Sequence, residues 1–455
     1  MKNGKRSSFS GKLGYVLAAA GASVGLGNIW RFPYLAAKYG GGIFLIIYIV
    51  LALTFGYTMI VAETAIGRMT RKSPVGAFKS FGKKKWLSFG GWINAVIPVL
   101  IVPYYSVIGG WVIKYLVEYF RGNAKQLAED GYFTDFISNG VSTELCFMAF
   151  CAFTLIIIFA GVQNGIERVS KIMMPILIVL SVIIAVYSVT RPGALAGVKY
   201  FLVPNVKNFS WMTVVSAMGQ MFYSLSIAMG ILITFGSYMK KDTAIEDSTR
   251  NVEVFDTGIA IMAGLMIIPA VFAFSGGDPN TLQAGPSLMF ITIPKVFQNM
   301  GFGTVIGIVF FLLVLFAAVT SSIALTESAV STFEDELGWG RKKATVLVGV
   351  IMLALGSLSS LGYGPLAGIK IIGMQFLDLF DFLTNSVMMP IAALLTSLFV
   401  SRVVGIDKIE AEIINGESAF RRKKVFVVMI KYLCPVFAII ILLSSVANAL
   451  GWIKM

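Results

Sequence analysis

The chain of 455 residues contains no histidine. That absence excludes histidine zinc sites, Ser-His triads and imidazole proton relays together. Cysteine is scarce as well. Cys146, Cys151 and Cys434 lie in or beside apolar segments, so no disulfide framework is expected. Charged residues make up only 13% of the chain and hydrophobic ones 57%, a balance no soluble domain of this size shows. Apolar stretches of about 20 residues recur from end to end, as membrane-spanning helices require. Segments of ~10 residues with alternating polarity, the mark of a β-barrel, are missing. The short basic start MKNGKRSSFSGK is followed by no small-residue cleavage site, so no cleavable signal is expected. The formal net charge of +14 does not point to nucleic acid, because the basic residues flank apolar segments and form no single patch.

What is present is a polytopic all-α membrane chain. Eleven spans are expected near 13–38, 42–69, 88–120, 143–161, 167–190, 211–238, 252–275, 303–333, 343–361, 374–401 and 425–450. The connecting loops sort by charge. One alternate set carries MKNGKRSSFSGK, GRMTRKSPVGAFKSFGKKKW, GIERVSK, YMKKD, WGRKK and FRRKK, and the other is poor in basic residues. The positive-inside rule puts the first set, and the N-terminus, in the cytoplasm, and an odd span count puts the C-terminus outside. The longer outer loops at 191–210 and 276–302 are expected to pack as partial lids.

Ionisable residues inside spans are rare and usually functional. Here they are Arg31, Glu63, Lys114, Glu118, Asp256, Asp378 and Asp381. Lys114 and Glu118 read as a local i,i+4 pair near a span end. Arg31 and Asp381 sit toward the outer half of spans 1 and 10, where a salt bridge between them would cancel both charges when closed. The stretch AGASVGLGNIWRFPY, Ala20 to Tyr34, places Asn28, Arg31 and three glycines within span 1. Unwinding there would free carbonyls that hydrocarbon tolerates only around a protected cavity or an ion. A packing seam of small residues, Gly21 to Gly25, is the alternative, but it leaves Asn28 and Arg31 unexplained. FYSLSIAMG, Phe222 to Gly230, interrupts span 6 in the same way. Spans 1 and 6 are five apart, and two interrupted helices at matching places in inverted halves point to a secondary transporter's site. In span 8, FAAVTSSIAL offers Thr320, Ser321 and Ser322. Their hydroxyls either bond back to their own helix or serve as oxygen ligands for a small hard cation. Tyr104 and Tyr105 lie at mid-depth in span 3, where a phenol needs a partner.

The motifs GLGNIWRFPY with GGG at 40–42, GQMFYSLSIAMG, TSSIAL, FEDEL and LFDF resemble those of the neurotransmitter:sodium symporters. The likeness is greatest to the bacterial amino-acid members with the leucine-transporter fold, and it runs from Arg6 to about Val446. It implies a single transporter domain over 1–455, with inverted repeats at about 13–190 and 211–401 and a peripheral helix at 425–450. It also implies an amino-acid substrate and two sodium ions. The first ion would take Ser23, Asn28, Ser224 and Asp256; the second would take Gly21, Val24, Ala317, Thr320 and Ser321. The substrate carboxylate would meet Tyr105 and the amides of Gly25 and Leu26. The amino group would meet carbonyls of Ser23, Phe222 and Ser224. Ile101, Tyr105, Phe222, Met229, Ser322 and Leu325 would line the side-chain pocket, with Phe222 and Tyr105 as its lid. Arg31 with Asp381, near Gln220, would form an outer gate. Arg6 with Asp335, supported by Ser237 and Tyr238, would form an inner one, and Glu63 would accept bonds from the unwound segments.

Three departures from the family pattern matter. Asp256 stands where many relatives carry asparagine, with Ala260 one turn later, so a built-in carboxylate is expected to replace chloride. Ala228 stands where glycine is common. Eleven spans replace the commoner twelve. The expectation is a chloride-independent, sodium-coupled symporter of neutral hydrophobic amino acids, aliphatic or aromatic, in the cell's inner (plasma) membrane. It is not expected to be an enzyme, since no catalytic set is found. A transport-inactive amino-acid sensor on the same fold is the alternative.

Overall fold

The computed structural model describes residues 6–275, 285–449 and 451–452. Thirteen helices carry the architecture: α1 Lys12–Ser23, α2 Gly27–Lys38, α3 Gly42–Thr70, α4 Lys85–Phe120, α5 Gly140–Phe159 and α6 Val162–Val189, then α7 Trp211–Ser224, α8 Ile231–Tyr238, α9 Ile245–Ser275, α10 Gly303–Leu337, α11 Arg341–Leu361, α12 Phe376–Val404 and α13 Lys423–Asn448. Among the described residues, nine of these are long and apolar enough to cross a membrane, or ten if the bent pair α1–α2 is counted as one span. The sequence-expected span at 211–238 appears as two shorter helices, α7 and α8, neither of which is long enough alone.

Two breaks organise the centre. α1 ends at Ser23, Val24 is extended (φ −73°, ψ 97°), and the chain resumes in a widened turn at Gly27–Arg31, so that α2 is bent 53° from α1. Between α7 and α8 the backbone turns left-handed at Ser226 (φ 52°), Ala228 (φ 58°) and Gly230 (φ 71°). Only glycine adopts that region freely; the two other residues hold it at an expense the surrounding packing must offset.

The long helices then pack around these breaks. α10 lies along α4 and touches α1, α8 lies along α3, and α6 lies along α9. Buried apolar side chains from all of them form one continuous core. α13 sits at the edge against α12 and α7: 33% of its most apolar window is buried, against 78% for α4. The loop at 191–210 packs down as a short helix, Ala194–Leu202, whose Phe201 ring lies where a side chain at Gly264 of α9 would be. In the loop at 276–302, residues 276–284 lie outside the described residues. The rest includes a helical turn at Leu288–Gln298 whose Phe290 ring stacks on Phe133, 5.1 Å between centroids, and whose Phe290 carbonyl accepts from Tyr115 Oη at 2.7 Å.

Candidate binding site between the broken helices

The two breaks face one another, and a narrow pocket lies between them. Ala22, Ser23, Gly25, Leu26, Gly27 and Asn28 line it from the first break, and Tyr223, Ser226 and Met229 from the second. Ile101 and Tyr105 of α4 with Ser321 and Leu325 of α10 complete the wall. Gly25 matters here for want of a side chain: a Cβ would lie 2.6 Å from Ser321 Oγ and 3.0 Å from Tyr105 Oη. The Leu26 amide donates to Tyr105 Oη at 3.3 Å, so an amide and a phenol sit at the same corner. Ser226 Oγ donates across the pocket to the Ala22 carbonyl at 2.9 Å and ties one break to the other.

A polar knot adjoins the pocket on the α9 side. Asn28 Nδ2 donates to Asp256 Oδ1 at 2.8 Å and to Ser224 Oγ at 2.9 Å. Ser224 Oγ reaches both Asp256 oxygens, at 2.9 and 3.0 Å, and Tyr48 Oη donates to Asp256 Oδ2 at 2.9 Å. All four side chains are buried. The structure thus joins Asn28, Ser224 and Asp256 of the first expected ion set, and Ser23, expected to give its backbone carbonyl, lines the adjoining pocket while its Oγ bonds back to the Ala19 carbonyl at 3.1 Å. Tyr48 is a partner that the reading of the sequence missed. Its signal was a lone phenol in the middle of GIFLIIYIVL.

On the α10 side, Ser321 Oγ lies 3.2 Å from the Gly21 carbonyl, 3.1 Å from that of Ala22 and 3.3 Å from that of Val24. Thr320 Oγ1 bonds back to Phe316 O and Ala317 O, at 3.0 and 3.2 Å, yet its Cβ would lie only 3.1 Å from a Cβ at Gly21. The second expected set, Gly21, Val24, Ala317, Thr320 and Ser321, is therefore gathered in one place. The α10 cluster offers only oxygen, and the α9 knot offers a single carboxylate, two hydroxyls and the Asn28 amide, whose nitrogen faces the carboxylate and whose oxygen accepts from the Gly25 amide. No group of three or more His, Cys, Asp or Glu able to hold a metal occurs among the described residues. Such donor sets suit a small hard monovalent cation better than a transition metal.

Two expected pocket residues are placed elsewhere. The Phe222 ring packs at a tilt on Phe55 of α3, 4.9 Å between centroids, and it is the neighbouring Tyr223 that lines the pocket. With two adjacent aromatics, a one-residue helical step swings the ring by about 100°, so sequence alone picks the wrong one easily. Ser322 Oγ lies 3.3 Å from Thr154 Oγ1 of α5, away from the pocket. Ile101, Met229 and Leu325 line it as expected.

The two expected gates differ. Arg6 Nη1 pairs with Asp335 Oδ1 at 2.5 Å, and Arg6 also donates to Ser237 Oγ (3.0 and 3.2 Å) and Ser331 Oγ (2.7 Å) while lying over the Tyr238 ring. Asp335 Oδ2 accepts from the Ser73 amide at 2.6 Å. Arg31 and Asp381, expected as a pair, make no ion pair with each other among the described residues. Arg31 lies over the Tyr223 ring, 5.3 Å from its centroid, and Asp381 accepts from Tyr104 Oη (3.2 Å) and Asn385 Nδ2 (2.6 Å). Gln220 donates to the Gly27 carbonyl at 3.0 Å. Glu63 Oε1 accepts from the Ala228 amide at 2.7 Å, bracing the second break. Lys114 and Glu118 form the local pair expected, at 2.8 Å.

The chain matches the sodium:neurotransmitter symporter family over residues 6–129 and 117–452. It is 35% identical to the sodium-dependent transporter YhdH of Bacillus subtilis over 450 residues, covering 98% of this chain and 99% of that one. It is 32% identical to a sodium-dependent transporter of Methanocaldococcus jannaschii, covering 97% and 90%. The crystal structure of MhsT in complex with L-phenylalanine superposes with a TM-score of 0.86 at 35% identity, covering 97% of this chain and all of that one. The chain therefore belongs to the sodium:neurotransmitter symporter family.

Proposed function

We propose that this protein is a sodium-coupled symporter of neutral, hydrophobic amino acids that works by alternating access without chloride. The observation that carries the reading is the meeting of two interrupted helices at one pocket, flanked by two oxygen clusters. Half-helix ends bind complementary charge: freed amides favour an anion and freed carbonyls a cation. The substrate carboxylate fits the corner made by Tyr105, the Leu26 amide and the bare Cα of Gly25. One sodium ion, as cargo, would replace the hydrogen bonds now knotting Asn28, Ser224 and Asp256. A second would draw together the Gly21, Val24 and Ala317 carbonyls with Thr320 and Ser321.

The substrate side chain would lie among Ile101, Met229 and Leu325, under Tyr223. Among the described residues no charged side chain lines that wall, so burying a charged substrate there would leave it unpaired. MhsT, similar over its whole length, is titled as a complex with L-phenylalanine, which supports a hydrophobic substrate. For chloride independence the support is Asp256: a fixed carboxylate sits in the knot, and the buried methyl of Ala260 lies one turn on. The eleven-span reading pairs α1–α2 and α7–α8 as two broken spans, with repeats over about 13–190 and 211–401 and α13 outside them. The basic loops support a cytoplasmic N-terminus and, with eleven spans, a C-terminus outside, in the cell's inner membrane.

The test is radiolabelled uptake into proteoliposomes under an inward sodium gradient, with leucine, phenylalanine, tryptophan, methionine and glycine. Chloride is replaced by gluconate in parallel. Accumulation that needs sodium and persists in gluconate is expected. Uptake that stops without chloride overturns the role of Asp256, and tight sodium-dependent binding without accumulation overturns transport in favour of sensing.

A further inference from the structure

Where the start of α9, the connection into α13 and Tyr57 of α3 meet, a cavity of about 390 Å³ opens at the same end of the molecule as the N-terminal segment. Three carboxylates line it, and each already has partners. Glu246 accepts from Tyr57 Oη at 2.8 Å and from the Arg421 and Arg422 amides at 2.8 and 2.9 Å. Glu417 accepts from the Glu246 amide at 2.5 Å, and Asp247 pairs with Lys12. Of the three arginines in the wall, Arg422 reaches Glu253 at 3.4 Å and lies over the Tyr57 ring. Arg250 and Arg421 are exposed, and neither guanidinium donates a hydrogen bond or makes an ion pair among the described residues. The exposed Ser418 hydroxyl in the same wall has no partner among them either.

The level of these groups decides what can reach them. α9 has 31 residues, about 46 Å of helix, so a hydrocarbon core of ~30 Å leaves about five residues over at each end. Arg250 is the sixth residue of α9, at the edge of that core, and its flexible stem carries the guanidinium outward. Arg421 stands two residues before α13 begins, on the aqueous side of its apolar run. Both guanidinium groups therefore open to the headgroup layer. Below them the surface turns apolar. Leu53 lies one turn from Tyr57 and Val254 one turn from Arg250, each toward the middle of its helix, and they are 44% and 65% exposed.

We infer that this cavity binds the phosphate of an anionic phospholipid of the adjoining leaflet, such as phosphatidylglycerol. The two guanidinium forks of Arg250 and Arg421 match phosphate oxygens, and the Ser418 hydroxyl adds a further donor. The acyl chains would run along Leu53 and Val254. The wall also selects among headgroups. A zwitterionic ethanolamine lipid brings an ammonium toward two unpaired arginines, and the carboxylates nearby are taken. A glycerol headgroup brings no such charge. The inference is independent of transport and holds whatever the substrate is.

The experiment is native mass spectrometry of the full chain after exchange from mixed vesicles of phosphatidylglycerol and phosphatidylethanolamine with identical acyl chains. Wild-type protein is expected to retain phosphatidylglycerol over phosphatidylethanolamine by roughly thirtyfold, the scale of two basic residues at a membrane surface. Arg250→Gln or Arg421→Gln alone should lower the preference to roughly fivefold, and the double variant should bring it close to one. Both side chains are exposed and unpartnered, so these variants should fold as the wild type does. Equal retention of the two lipids by the wild type overturns the inference without any variant. So does an undiminished preference in the double variant. An excess of glycerol 3-phosphate separates a lipid from a soluble phosphate: retention of phosphatidylglycerol should persist, and its displacement would assign the cavity to a soluble ligand and overturn the lipid.

Discussion

The two ends of the path through the molecule use the same kind of pair, an arginine and an aspartate, yet only one pair is joined. At the end where the N-terminus lies, Arg6 binds Asp335, two serines and a tyrosine ring, and the Phe9 amide donates to the Tyr238 carbonyl at 3.0 Å. At the other end the Arg31 guanidinium lies over the Tyr223 ring, and Asp381 is occupied by Tyr104 and Asn385. The difference teaches which end is locked. Under the proposed function this is the arrangement that closes the cytoplasmic side and leaves the outer pair unmade. Closure would then travel through Tyr223, which touches both the pocket and Arg31.

The largest effect is expected at the joined end. Arg6→Ala removes an ion pair and three hydrogen bonds and leaves Asp335 held only by the Ser73 amide. Both partners are partly exposed, so the destabilisation of that closure is about 1–3 kcal/mol, or roughly five- to 150-fold in its population. Sodium-driven accumulation should fall accordingly. Hydrogen exchange at the Phe9 amide should quicken, because its acceptor sits on Tyr238. Unchanged exchange at Phe9 would mean that the ion pair decorates a closure made by packing alone.

Next in size is Tyr223, the link between the two regions. Tyr223→Leu keeps an apolar cover but removes the ring over which Arg31 lies. An aromatic–cation contact and lost ring packing together suggest about a tenfold rise in the half-saturating substrate concentration. Phe222→Leu, one residue earlier, should leave that concentration unchanged and lower only the thermal midpoint, because its ring packs on Phe55. If the two variants exchange these phenotypes, the pocket wall has been assigned to the wrong aromatic.

These two residues also mark the limit of what was legible beforehand. The broken helices, Asp256 and Ser321 could be read from the sequence, because polar or ionisable groups inside apolar spans have few bland explanations; the Arg6–Asp335 pair came only through the family resemblance. The orientation of neighbours within a run could not: Phe222 or Tyr223, Ser321 or Ser322. Each choice turns on where a helix ends to within one residue, and boundaries are the least readable feature of a sequence. Tyr48 was missed for a different reason. It sits in an otherwise uniform apolar run, and only tertiary packing brings it to Asp256. The Arg31–Asp381 pair was read as a contact of the closed gate because opposite charges at similar depth invite it; in this structure each holds other partners.

A smaller effect is expected at the unjoined end. Arg31→Gln breaks no ion pair, so exchange at Phe9 should match the wild type, and accumulation should drop only a few-fold, the scale of one partly exposed cation–π contact. A loss as large as that of Arg6→Ala would show that the outer pair forms during transport and contributes as much as the inner one.

The smallest effect is expected at the hinge between the two ends. Ala228 holds a left-handed backbone, φ 58°, and its amide is fixed by Glu63 Oε1. Replacing it with glycine relieves about 1 kcal/mol of backbone strain. The same change frees the unfolded chain and costs about 0.4–1 kcal/mol. The two nearly cancel, so Ala228→Gly should move the thermal midpoint by less than about 2 °C. Because the Glu63 contact is to the backbone, it survives the substitution, and both closures should keep their populations. A stabilisation of several degrees would instead mean that the methyl group is strained against its surroundings as well as by its own backbone. The second break would then store energy that the hinge can release when either end opens.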